Sequence, residues 1–392
     1  MTPRGRFAAL LALLLGTALP ASGQSVLAAS GLGVPIEPVD ARGRALGSVG
    51  GGLLGSAVIP GDPVAAADLA VPTAVITLQS AWLDIEQGQG PTSDSGNRFP
   101  GLGVSYPVRD WGVLTLTYGA VLDQRWQLEH RDTLELGPGG TLEIADRFSS
   151  DGGVSAVRIG FAHRIAPSLA VGAALGVFTG NSTRSFQRVF DTIAADVDIE
   201  PFGSVGHWSY SGPTASLGAM VDVRQVFRAA GTVTWSGTLE ADPSEGTAGG
   251  SRSYDMPLDV RAGVSVALAP ELNVSGSFAW ADWSGTAADL DVSGDGTASA
   301  LGAGIEFDRA TLFGRGLPLR VGWHRATLPF QILDTDAVES AFSFGAGLML
   351  LAREDGVPLA RLDLGLETGS RKASAVVEDF WRSTMSIRVA GF

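Results

Sequence analysis

Arginine is almost the only cation in this sequence. Of 27 basic residues, one, Lys372, is lysine. Arg158, Arg164, Arg228, Arg261, Arg320 and Arg361 stand at alternate positions opposite apolar residues. Asp259, Glu306, Asp308, Asp363 and Glu367 occupy the same kind of position. A guanidinium can hold a carboxylate through two parallel hydrogen bonds. Such a set has two uses. It can knit the interior of a sheet protein with ion pairs, or one or two members can receive a ligand carboxylate in an otherwise apolar pocket. Arg158, Arg228, Arg261 and Arg320 are the candidates for the second use, and the spacing leaves open which of them faces a pocket.

Other chemistry is sparse. Asp289, Asp291 and Asp295 sit at short spacings before a Gly turn, a pattern that can gather oxygen ligands for Ca²⁺. The closing Glu of a full calcium loop is missing, so a solvated acidic turn is the competing reading. His130, His163, His207 and His324 are scattered singly. There is no G-x-S-x-G, no H-E-x-x-H and no P-loop. With no Cys, disulfides and thiolate metal sites are excluded. The expectation is a protein that is not an enzyme, with no cofactor and no catalytic residue to name. A net charge of −14 argues against a nucleic-acid partner, because phosphate binding needs a basic surface.

The elements that hold these residues are strands. Val260, Ala262, Val264, Val266 and Leu268 alternate with polar or small residues; so do Leu319, Val321 and Trp323, and Ala360, Leu362, Leu364 and Leu366. Side chains of a strand point alternately to its two faces, so each segment has one oily and one polar face. The same parity puts Leu114, Leu116, Tyr118, Ala120 and Leu122 on one face. Repeated this often, the pattern predicts membrane strands, oily to lipid and polar to a lumen. Fourteen are predicted, over 73–87, 98–108, 111–125, 153–165, 168–182, 206–223, 226–240, 256–268, 271–284, 298–308, 316–328, 338–351, 357–371 and 380–392. The connections alternate between short and long. The long ones, 126–152, 183–205, 241–255 and 285–297, all fall on one side, as outer loops do. One detail conflicts: the final Phe392 shares parity with Arg388 rather than with Ile387 and Val389, which calls for either a bulge near Gly391 or a degenerate assembly signal.

The N-terminus differs. Arg4 and Arg6 precede the apolar run Phe7 to Leu15, and Ala21-Ser22-Gly23 offers a cleavage site, so residues 1–23 are predicted to be a signal peptide. Residues 24–72 are rich in Gly, Ala and Pro and follow no period. They are expected to form a plug in the lumen, where Arg42, Arg44 and Asp62 meet lumenal charges. Residues 73–392 form the barrel. The fold class is all-β: a transmembrane antiparallel barrel of about 14 strands with an N-terminal lumenal plug, placed in a bacterial outer membrane.

Several stretches resemble the FadL-type outer-membrane transporters of long-chain fatty acids and other hydrophobic compounds. They are Pro257-Leu-Asp-Val-Arg-Ala-Gly-Val-Ser, Pro270-Glu-Leu-Asn-Val-Ser with Trp280-Ala-Asp-Trp283, Leu319-Arg-Val-Gly-Trp-His with Leu328-Pro-Phe330, and Asp363-Leu-Gly-Leu-Glu-Thr-Gly369. Ala41-Arg-Gly-Arg-Ala-Leu-Gly47 is similar to the family's small-residue plug. Where the family often has Asn-Pro-Ala before the first strand, this chain has Asp62-Pro63-Val64-Ala65. The resemblance implies a monomeric barrel in contact with outer-membrane lipid, and a lumenal site for a hydrophobic small molecule. It also implies lateral exit through a gap beside a kinked third strand. Two other functions fit the same barrel: a binding or shuttle component for secretion or surface attachment, and a general polar porin.

Overall fold

The computed structural model describes residues 25–87, 90–135, 141–190, 200–290, 296–312, 314–352 and 358–391. The strand alternation closes into a barrel of fourteen antiparallel strands. They are β1 (Thr73–Gln87), β2 (Gly90–Val108), β3 (Gly112–Asp123, continuing as Trp126–Glu135), β4 (Thr141–Ala166), β5 (Leu169–Phe190), β6 (Phe202–Val223) and β7 (Phe227–Ser236, continuing as Thr238–Pro243). Then come β8 (Arg252–Asp255, continuing as Leu258–Ala269), β9 (Leu272–Asp282), β10 (Thr297–Phe307), β11 (Leu319–Ile332), β12 (Thr335–Ala352), β13 (Pro358–Ala373) and β14 (Val376–Ala390). β1 pairs with β14 from Thr73↔Ala390 to Glu86↔Val377, so the sheet has no free end. No helix among the described residues is long and apolar enough to cross a membrane.

The two faces separate as the alternation predicts. Leu175, Leu217, Val264, Leu301, Phe344 and Leu364 are exposed on the outer wall, while Arg158, Ser265, Arg320, Asp363 and Glu367 are buried on the inner one. Trp82, Trp381, Phe342 and Trp323 stand in one row across neighbouring strands, spaced by Thr368. The next outward-facing row is polar: Asp84, Asp379, Ser370, Ser340 and Arg325. An apolar belt edged by aromatics and then by charge marks a membrane–water interface. Leu364→Arg and Val264→Arg should therefore each cost assembly about 2–4 kcal/mol at mid-bilayer. Ala279→Ser, facing the lumenal cavity described below, should be tolerated. Loss of heat-modifiable gel migration reads the effect, and equal damage from all three would show the faces to be misassigned.

Three features depart from the sequence-based reading. First, the described parts of 126–152 and 183–205 are largely strand. β3 and β4 pair from Trp126↔Ser150 to Glu135↔Thr141, and β5 and β6 stay paired as far as Arg188↔Phe202. At about 3.3 Å per residue, the 26 residues of β4 far exceed a belt of about 25 Å. Above the bilayer both faces of a hairpin meet water, so the oily alternation that flags a strand disappears. Second, some outer connections are tight. β11 and β12 join through Leu333 and Asp334, both at positive φ, as a two-residue hairpin turn requires. Third, Ala120 and Leu122 do not face lipid with Leu114 and Leu116. A bulge at Val121 shifts the register, and Leu122 is buried against Leu32. At the other end Gly391 takes a φ of 74°, and Phe392 lies outside the described residues.

Residues 25–72 lie against the inner wall. Ser25 Oγ and Leu27 N donate to Glu378 near the outer end of β14. Helix α1 (Ala41–Ala45), capped by Asp40 accepting from Gly43 N at 2.8 Å, packs on β11 to β14. The turn at Pro63–Ala66 packs on β3 to β6. The contacts are close because both partners lack side chains. Gly47, at φ 81°, would carry a Cβ 2.2 Å from Trp323 O, and a Cβ on Gly322 would lie 2.3 Å from Gly47 N. The glycine content of this segment is thus a packing requirement. Gly365 is also close, with a Cβ there 3.1 Å from Ala41 O.

Candidate binding cavity and side gap

Above the N-terminal segment the lumen keeps a cavity of about 180 Å³. Pro38, Gly47 and Pro60 of the N-terminal segment line it, and Val121, Phe178, Met256, Trp283 and Leu328 give it apolar surface. Its charged lining includes Arg44, Arg98, Arg158 and Arg261, together with Glu339, Arg371 and Arg382. An apolar pocket with a few placed charges suits an amphipathic ligand.

The four candidate arginines divide by partner. Arg228 is spent: it donates to Asp222 at 2.8 Å, to Asp68 at 2.6 Å and to the carbonyls of Leu53 and Gly55. Arg320 pairs with Glu306 at 2.5 Å and Asp363 at 2.9 Å. Neither lines the cavity. Arg261 does, but it is shared between Asp259 and Glu37. Arg158 lines the cavity with no carboxylate partner among the described residues. Its Nη2 is 3.4 Å from Thr214 Oγ1, and its Nε has no partner although buried.

In the N-terminal segment, Arg42 donates to both oxygens of Glu306, at 2.6 and 2.9 Å. Arg44 bonds only the Glu37 carbonyl and Ser48 Oγ; burial pulls its guanidinium below the usual range. Asp62 accepts from Thr232 Oγ1 and Val64 N, both at 3.1 to 3.2 Å. Burial nevertheless pushes its carboxyl up. Arg42 and Asp62 thus bond the barrel wall, Arg42 through an ion pair, while Arg44 bonds within the N-terminal segment. Asp289 sits in helix α2 (Ser284–Leu290), where Oδ2 accepts from Asp255 N at 2.7 Å; Asp291 and Asp295 lie outside the described residues. No cluster of metal-ligating residues occurs among the described residues.

Single-residue spacing missed two groups. Glu339 accepts from His324 at 2.9 Å and pairs with Arg371 and Arg382 at 2.5 Å each. These residues come from β11, β12, β13 and β14, so no local motif links them. The second group stands at a break in the wall. The β2–β3 ladder ends at Gly101↔Gly119. Both strands bulge there: β2 gains a residue between Gly101 and Arg98, β3 at Val121. Above the break β2 follows β1 as far as Gly90, whereas Trp126–Glu135 of β3 pairs with β4 alone. Val34–Pro35 of the N-terminal segment pairs with Leu122 and Asp123, taking the edge that β2 leaves. The β2 bulge turns Arg98 inward, and its Nε lies 2.6 Å from Asp123 Oδ2. Arg125 holds the same carboxylate at 2.9 and 3.0 Å and donates to the Asn97 carbonyl of β2 at 2.8 Å. A broken ladder beside a kinked third strand is the geometry that the family resemblance implies.

No family model and no curated protein matches this sequence. Solved structures do. A Pseudomonas aeruginosa FadL homologue superposes with a TM-score of 0.61 at 11% identity, over 92% of this chain and 100% of its own. The Ralstonia pickettii toluene transporter TbuX gives 0.56 at 14% identity, over 90% and 98%. The Pseudomonas putida toluene transporter TodX gives 0.55 at 13% identity, over 92% and 99%. At such identities the likeness is one of fold, and it spans nearly the whole of each chain. The chain has the fold of the FadL-type outer-membrane barrels.

Proposed function

We propose that this protein is a passive channel that carries hydrophobic small molecules with an anionic head, such as fatty acids, across a bacterial outer membrane. The observation that carries the reading is the position of the cavity. Its lining combines apolar residues with Arg158, which has no carboxylate partner among the described residues, and it reaches Ala120 and Val121 at the wall break. A ligand there has apolar surface for its tail, a cation for its head, and a wall in which β2 and β3 are not bonded to each other. The structural neighbours named as toluene transporters support a hydrophobic cargo in general; the anionic head is argued from Arg158. In this reading residues 1–23 are a cleaved export signal, residues 24–72 plug the lumen, and the barrel works as a monomer. The blocked lumen disfavours a general polar porin.

The test is ligand binding and uptake. Purified protein should bind hexadecanoate, and cells expressing it should take up more than cells without it. Arg158→Gln should weaken binding about tenfold, the loss expected for one hydrogen bond to a charged group. Uptake no better than in cells without the protein would sink the channel reading. Unchanged binding in the variant would remove Arg158 as the head-group receiver.

A further inference from the structure

Arg98 belongs to two places at once. It lines the cavity, and its Nε lies 2.6 Å from Asp123 Oδ2 across the β2–β3 break. The links between the two strand edges above Gly101↔Gly119 are made by side chains: Arg98 to Asp123, and Arg125 to the Asn97 carbonyl. No backbone ladder joins these two edges to each other, and only the two-residue pairing of Val34–Pro35 covers the β3 edge, so whatever loosens the side chains weakens the closure of the gap.

Exchange of one partner is cheap here. Asp123 has a second cation in Arg125, with two hydrogen bonds to it. If Arg98 turns from Asp123 to an anion in the cavity, neither charge is left buried and unpaired. That avoids the large penalty of breaking an isolated buried pair. An uncharged ligand gives Arg98 nothing to turn to, and the pair stays closed.

We propose that the Arg98–Asp123 pair is a ligand-operated latch on the side gap, which the anionic head of a ligand in the cavity opens by taking Arg98 from Asp123. It selects anionic amphiphiles over neutral hydrocarbons of the same length. This rests on the channel reading above, and it adds residues that determine which ligands leave.

The experiment compares uptake of hexadecanoate with uptake of methyl hexadecanoate, in Gram-negative cells that express the full chain and lack their own transporter for either. The full chain should favour the acid by about tenfold, the ratio for one charge-assisted hydrogen bond gained. Asp123→Asn should release the latch and raise ester uptake to within about twofold of the acid. Arg98→Gln should likewise raise ester uptake to within about twofold of the acid, because the latch has then lost its cation and no longer answers to the head group. Heat-modifiable migration checks that each variant is a folded barrel, and either folded variant decides the matter alone. An unchanged acid-to-ester ratio in a folded variant, or equal uptake of both by the full chain, overturns the latch and leaves the channel standing. Uptake of neither probe above control cells overturns the channel reading, and the latch with it.

Discussion

A barrel lacking residues 25–72 should pass a steady ion current in a planar bilayer in which the full chain is close to silent. The closing ladder between β1 and β14 and the oily belt lie outside the deleted segment. The wall is also close to self-sufficient in charge. Without Arg42, Glu306 keeps Arg320; without Asp68, Arg228 keeps Asp222; without Glu37, Arg261 keeps Asp259. Water entering the emptied lumen solvates the rest. Deletion does expose the edge of β3 at Leu122 and Asp123, which Val34 and Pro35 cover in the full chain, so some loss of thermal stability should accompany the gain in current. A deleted barrel that shows heat-modifiable migration but conducts no more than the full chain would mean that the N-terminal segment does not gate the lumen.

Glu339→Ala should be the most damaging single substitution in the lumen. Its carboxylate is buried and is shared by Arg371, Arg382 and His324. Removing it leaves two buried guanidinium groups facing each other with less than one counter-charge apiece. Arg371 retains Glu378 only at 3.5 Å, and Arg382 retains Glu367 only at 3.6 Å. Breaking a buried pair by removing one partner costs about 3–5 kcal/mol. The measurement is the urea concentration at which the heat-modifiable band is lost. Glu339→Gln, which keeps the volume and an acceptor oxygen, should fall between the alanine variant and the wild type. A midpoint for Glu339→Ala equal to wild type would show that water already screens the cluster.

The sequence alone determined the architecture, because the architecture follows from local chemistry. A strand that separates lipid from a polar lumen must alternate, and Val260 to Leu268 or Leu319 to His324 record that alternation residue by residue. Strand number, direction and the inward placement of Arg158, Arg228, Arg261 and Arg320 were all legible this way. Where both faces of a hairpin meet water, as over 126–152, the same logic has nothing to read. Tertiary structure decided the rest. The bulges beside Arg98 and at Val121 each add one residue, and a one-residue slip reverses every side chain beyond it without changing composition. Leu122 therefore left the lipid face, and Arg98 turned inward to meet Asp123. Pairing decided which arginine is free. Arg42 and Glu306, 264 positions apart, are joined only because the N-terminal segment folds back against β10 and β11. Arg158 has no such partner, and that depends on every other chain segment that passes it, which no local spacing records.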